Sequence, residues 1–238
     1  MRKITIFLIF STVLACAQKD RGLALKLYTQ FNYSTGAQKP LSTLDTSTKP
    51  LFFYGREDLR LSLSPAIRLD ISSHSFHEIA ITEFGFEKHN EKTVLLQSGN
   101  LVPTNGGVAN EFKIGLRYEY SQDINVFKEK SKLNFNMGMG ASPMFYRRSF
   151  NPISSNSFPT YYTSVELELF IVPRLQYAVN DKWFVDLNIP FVGSMNSYET
   201  YRVENPAFSS SEQKNSRSTQ DVLPKRYEAR LGVGIKLI

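Results

Sequence analysis

Beyond residue 20 the chain alternates apolar and polar residues with a period of two, the mark of β-strands whose two faces meet unlike surroundings. Leu23, Leu25, Leu27, Thr29, Phe31 and Tyr33 share one parity, against Ala24, Lys26, Tyr28, Gln30 and Asn32. Leu59, Leu61, Leu63, Ile67, Leu69 and Ile71 stand against Arg60, Ser62, Ser64, Arg68 and Asp70. A third, weaker segment covers about 76–88, and its parity shifts between Ile79, Ile81 and Phe84, Phe86. Clean alternation returns in Phe112 to Tyr120, Leu133 to Met139, Val165 to Leu175, Trp183 to Phe191 and Tyr227 to Leu237. These eight segments are longer than the ~5–6 residues of a common globular strand. They suit tilted strands of ~9–11 residues crossing a bilayer, with ends projecting beyond it.

The connections alternate in length. Short ones follow the second, fourth and sixth segments: 72–75, 122–130 and the Asn180-Asp181 pair, both residues that tolerate left-handed backbone. Long polar ones follow the first, third, fifth and seventh, at about 34–56, 88–109, 147–160 and 196–224. The last carries Ser209, Ser210 and Ser211 and is expected to be a mobile loop. Short turns on one rim and long loops on the other predict an all-β fold, a closed antiparallel up-and-down transmembrane β-barrel of about eight strands, its long loops outside. Pro65, Pro143, Pro173 and Pro190 fall inside these strands, although proline lacks the ladder donor; they are assigned to bulges or bends.

Period two does not say which face looks out. Long strands, alternating turns and an amphipathic final strand favour the apolar face outward; the opposite choice gives a soluble, lipocalin-like barrel with a greasy cavity. With the apolar rows outward, the lumen receives Lys26, Arg60, Arg68, Asp70, Lys113, Arg117, Glu119, Glu166, Glu168, Arg174, Asp186, Arg230 and Lys236. An eight-stranded barrel is filled by its own side chains, so these charges of both signs are expected to form an ion-pair network that plugs the lumen. Gly115, Gly138, Gly140, Gly232 and Gly234 on the same face make room for long neighbours. Aromatic residues gather at both rims: Tyr118, Tyr120, Tyr177 and Trp183 at the short turns, and Phe31, Tyr33, Phe86, Phe145, Tyr161 and Tyr227 toward the long loops. Such a girdle is expected at lipid headgroup level, where amphipathic rings are favoured.

Composition agrees. The 238 residues are 42% hydrophobic, and the mean hydropathy of -0.26 is too polar for a helical membrane protein but ordinary for strands that meet lipid on one face. Arg2-Lys3, the apolar run Ile4 to Leu14 and Ala15-Cys16-Ala17 read as a secretory signal peptide over 1–17, leaving 18–238 as the barrel domain. Cys16 is the only cysteine; Val13-Leu14-Ala15-Cys16 also fits a lipoprotein signal in which Cys16 would be acylated. Removing 1–17 takes the net charge from +6 to about +4 without a basic run, which argues against nucleic-acid binding.

The stretch Pro173-Arg174-Leu175-Gln176-Tyr177, the Asn180-Asp181 turn and Trp183-Phe184-Val185-Asp186-Leu187 resembles the penultimate hairpin of small outer-membrane β-barrel proteins, especially those of Bacteroidetes-type bacteria. Arg230 to Ile238 resembles their closing strand, although Ile238 stands where an aromatic terminus is commoner. The resemblance implies insertion into the outer membrane of a Gram-negative bacterium by the barrel-assembly machinery, with membrane lipid as the surrounding partner. It implies no single activity.

Candidate chemistry is sparse. Ser73, His74, His77 and Glu78 contain the residue types of a lipid-modifying hydrolase, yet they fall at a short turn, and a nucleophile and base without mutual geometry are a weak site. His74 and His77 alone do not close a metal shell. Glu166 and Glu168 share a face, as paired catalytic carboxylates must, but ion pairing is the simpler role. No catalytic, cofactor or metal site is therefore expected. The reading is a non-enzymatic barrel whose external loops contact a surface ligand or protein. The alternatives are a narrow channel for small solutes or ions, a lipid-modifying enzyme, and the soluble binder.

Overall fold

The computed structural model describes residues 22–38, 54–97, 100–124, 131–153, 158–224 and 226–237. The proposed signal peptide and Cys16 lie outside the described residues. Ten strands are found among the described residues: β1 (Leu23–Gln38), β2 (Tyr54–Ser72), β3 (Ser75–Gln97), β4 (Asn100–Asp123), β5 (Leu133–Pro152), β6 (Thr160–Ala178), β7 (Trp183–Asn188), β8 (Phe191–Val203), β9 (Lys214–Val222) and β10 (Arg226–Lys236). They form one antiparallel sheet in the order β5-β4-β3-β2-β1-β10-β7-β6-β8-β9, and β5 pairs with β6 to close it.

The ten strands make eight staves. β6 pairs with β7 along its lower half, Ala178 to Arg174, and with β8 from Ile171 to Thr160, the register slipping by one residue between Leu169 and Phe170. β7 and β8 are thus one stave interrupted at Ile189-Pro190. β9 and β10 form the last stave, broken around Leu223, which takes a φ of 53°. First and last staves meet from Ala24↔Lys236 to Ser34↔Arg226.

The prolines explain the irregularities. Pro173 and Pro190 sit where β6 passes from β7 to β8, and the Ile189 N–H to Pro173 carbonyl bond (3.2 Å) spans the break. Pro143 lies in a gap of the β4–β5 ladder, where the Ser142 hydroxyl donates to the Leu116 carbonyl at 3.0 Å. The parity shift in the third segment is a β-bulge: register slips between Ile81 and Glu83, so Thr82 turns inward and Phe84 and Phe86 face out. At the short turns, the Asn180 side-chain carbonyl accepts from the Lys182 and Trp183 amides (2.9 and 2.8 Å), an Asx turn.

The apolar rows face outward. Leu231 is 51% exposed while its neighbours Arg230 and Gly232 are buried, and the same alternation runs through β1, β4, β6 and β7. This excludes the greasy-cavity, lipocalin-like alternative. The long connections are corrected too. Much of 88–109, 147–160 and 196–224 is strand that continues past the apolar belt, and β9, expected as mobile loop, is laddered to β8 from Ser194↔Val222 to Arg202↔Lys214. In the turn between them, Glu212 accepts from the Ser209 hydroxyl (2.7 Å) and amide (2.8 Å), which holds its carboxyl below the ordinary value.

Lumen-facing glycines lie under large side chains. A Cβ on Gly232 or Gly234 would enter the ring of Tyr28 or Phe184, and one on Gly140 would meet the Tyr118 carbonyl oxygen and the Phe170 ring. Backbone cannot move aside as a side chain end can. Gly140→Ala is therefore expected to lower stability by about 1–3 kcal/mol, read by urea unfolding of the vesicle-inserted barrel. An unchanged midpoint would mean that Phe170 does not lie against that backbone.

Candidate functional site

The polar positions of six staves converge in the lower lumen. From β1 the Lys26 ammonium reaches Glu78 on β3 (2.6 Å) and Asp186 on β7 (2.7 Å). From β6 the Arg174 guanidinium meets Asp186 at 2.6 Å, Glu78 at 3.0 Å and Glu119 of β4 at 2.8 Å. The Tyr28 hydroxyl sits between them, accepting from Arg174 (2.7 Å) and Lys26 (3.0 Å) and donating to Glu78 (2.9 Å). A second tier lies above. Arg117 pairs with Glu228 of β10 at 2.7 Å and stands 3.9 Å from Glu119; Arg230 lies 3.8 Å from Glu228 and 3.7 Å from Glu78. Four cations and four carboxylates thus form one connected set with no net charge, every side chain at most 7% exposed.

Aromatic rings wrap the cations. Arg68 lies over Phe76 (3.8 Å to the ring centre), Arg117 over Phe170 (3.9 Å) and Arg230 over Tyr28 (3.9 Å). Lys26 lies between Phe76 and Phe184. A desolvated cation over a ring face is attracted by the ring quadrupole. The rings also fill space that water would otherwise occupy.

Of the residues expected in the lumenal network, Arg117, Glu119, Arg174, Asp186 and Arg230 are brought together, with Lys26. Arg68 and Asp70 pair with each other lower down (2.5 Å), and Arg68 also donates to Gln176 (3.0 Å). Lys113 stands 3.8 Å from Glu87, nearer the long-loop end. Glu166 and Glu168 line a polar cleft above the network with Gln30, Thr82, Glu83 and Glu228. Lys236 is the exception: at the last residue of β10 it is exposed on the short-turn rim, because the staves end there. The Arg60 side chain lies outside the described residues.

Glu78, Glu228 and Tyr28 are members outside the expected network, although Tyr28 and Glu228 share the inward parity of their segments. In sequence Glu78 falls beside the turn histidines. Its signal was the parity it shares with Ala80, against Ile79 and Ile81. The same geometry separates the hydrolase-like cluster: Glu78 is locked in the lumen, His74 stays at the turn, and His77 faces out. There His77 stacks on Tyr118 (5.6 Å) and lies against Tyr120 (5.4 Å), with Tyr118 Oη 2.7 Å from His77 Nδ1. His89 has a side chain outside the described residues.

The aromatics expected in the girdle lie on the outward face, Phe86 included. Tyr118, Tyr120, Tyr177 and Trp183 ring the short-turn rim, with Tyr120 half-buried beside His77. Phe31, Tyr33, Phe145, Tyr161 and Tyr227 lie toward the other rim, where Tyr33 and Tyr227 stack at 6.3 Å. Between the two rims the described outward residues of β1, β4, β6, β7 and β10 make an apolar belt.

No family model matches the chain, and no curated protein does. Among solved structures, the outer membrane protease OmpT from Escherichia coli is similar with a TM-score of 0.51 at 8% identity, over 92% of this chain and 97% of that one. The outer membrane protein OprG from Pseudomonas aeruginosa gives 0.49 at 10% identity, over 92% and 96%. Neisserial surface protein A gives 0.33 at 13%, over 92% and 98%. The OmpT likeness shows the fold: the architecture is that of small outer-membrane β-barrels.

Proposed function

We propose that this chain is an integral outer-membrane barrel that neither conducts nor catalyses, and that works as a rigid stand for its outward extensions. One observation carries the reading: a balanced, ring-wrapped set of eight charges closes the lower lumen and ties six staves together. Such a set carries no net charge of its own to attract a permeant ion, and its buried side chains fill the passage. What varies in chemistry then lies beyond the belt, on the β3–β4, β5–β6 and β8–β9 extensions. Presentation of adaptable segments on a fixed scaffold is a common way to contact a surface ligand or partner protein. Insertion by the barrel-assembly machinery and kinship with Bacteroidetes-type barrels belong to the same proposal, supported by the closing strand and the Asn180-Asp181 hairpin.

Planar-bilayer recording tests it. The purified chain, shown to be folded by heat-modifiable gel migration, is expected to give silent bilayers across the voltage range. Reproducible unitary steps would overturn the closed lumen and make the narrow channel the better reading. A change in the mass of outer-leaflet lipid after incubation with the protein would replace presentation by catalysis.

A further inference from the structure

One ladder of the barrel is incomplete. β2 and β3 pair from Ser72↔Ser75 up to Ala66↔Ala80. Above that, among the described residues, β2 is laddered only to β1 and β3 only to β4. The break begins where Pro65 coincides with the Thr82 bulge. Its level follows from β1: Leu27 pairs with Pro65, and Thr29, Phe31 and the rim residue Tyr33 follow opposite Leu63, Leu61 and Leu59 along the same ladder. The split therefore runs through the outer half of the apolar belt. Leu63, Phe84 and Phe86, which flank it, are 67%, 74% and 69% exposed, more than the 51% of Leu231 in a fully laddered stave.

Unpaired backbone facing hydrocarbon is costly, and irregular backbone at membrane depth is tolerated where it lines a polar, watered cavity. Such a cavity lies behind the split. The polar cleft above the charge network is walled by Thr82 and Glu83 of β3 and Gln30 of β1, and faces Ser142, Glu166 and Glu168 across the lumen. The network seals its floor. A polar cleft thus lies directly behind a break in the wall whose outer face carries Leu63, Phe84 and Phe86.

We propose that the β2–β3 split is a lateral portal for a single-chain amphiphile, its polar head in the cleft and its tail passing between Leu63 and Phe84 into the leaflet. The two chemistries meet across one wall in the order such a molecule carries them. The inference rests on the belt facing lipid.

The test uses the full chain in bilayers. Trp183 is the only tryptophan. In a Trp183→Phe, Met144→Trp variant the new indole reports from the cleft, which Met144 lines. Ser64→Cys and Thr82→Cys add two thiols at the next lumen-facing rung the ladder would occupy, so a disulfide or a short thiol cross-linker shuts the split. The probe is a phosphocholine with one brominated acyl chain. Emission from the cleft is expected to be quenched with the thiols reduced, and the quenching to be lost once they are joined. Absence of quenching in the reduced protein, or equal quenching in both states, would overturn the portal. In the unmodified chain, Trp183 at the short-turn rim is quenched by brominated bilayer lipid if the belt faces lipid. Failure of that control indicts the membrane reading, whereas success beside an unquenched cleft removes the portal alone.

Discussion

Arg174→Met is expected to lower the unfolding free energy by about 3–5 kcal/mol, the usual result of removing one partner from a buried ion pair. The magnitude comes from the groups left behind rather than from the lost contacts. Arg174 is fully buried and serves Glu78, Glu119 and Asp186 together; without it Lys26 alone pairs closely with Glu78 and Asp186, and Glu119 keeps only Arg117 at 3.9 Å. Methionine fills similar volume, so a cavity contributes little to the difference. Urea titration of the vesicle-inserted barrel measures it. Adding Glu119→Gln to Arg174→Met should lose less than the two single losses together, because the second change removes a carboxylate that the first had stranded. A shift in the Arg174→Met protein no larger than an ordinary surface substitution, ~0.5 kcal/mol, would show that the network does not hold the barrel.

Leu231→Arg should come second, destabilising by about 2–4 kcal/mol, as a guanidinium at the bilayer midplane does. Leu231 lies midway along β10, between Thr29 and Leu187 on the outward face. Its value as a probe lies in the comparison with Tyr227→Arg on the same strand. That position stacks with Tyr33 at the rim, where the same cation should cost only about 0–1 kcal/mol. Equal losses at the two depths would mean that the belt does not face hydrocarbon.

Much of the barrel was legible because every stave must satisfy two solvents. The rule of alternate faces writes itself into β1, β4, β6, β7 and β10, where Leu and Val rows stand opposite Lys, Arg and Asp. It failed where that demand stops. Lys214 to Val222 is polar on both faces, so nothing in its order distinguishes a strand from a loop; only the partner β8 imposes extension on it. The same holds for the ends of β3 and β4 beyond the belt. The site was legible in type but not in membership. Parity placed Arg117, Glu119, Arg174, Asp186 and Arg230 inside, since each alternates with an outward apolar residue. It does not tell how high along the axis a residue sits, so Lys236 at a strand end looked equivalent to Arg230 in the middle. Glu78 was obscured by a turn rich in histidine, and by the Thr82 bulge, which scrambles the period of the segment that follows.

The closing ladder joins Ala24 to Lys236, nearly the two extremes of the described chain. Contacts this distant in sequence are slow to form, because the intervening polymer must be confined before any of them is gained. Lys26 rides on the first stave and Arg230 on the last, so the middle of the chain holds Glu78, Glu119 and Asp186 with only part of their compensation until the ends meet. An open, half-zipped sheet would have to present those carboxylates to an oily medium. Joining β1 to β10 therefore completes the cylinder and brings Lys26 and Arg230 to the carboxylates in the same event.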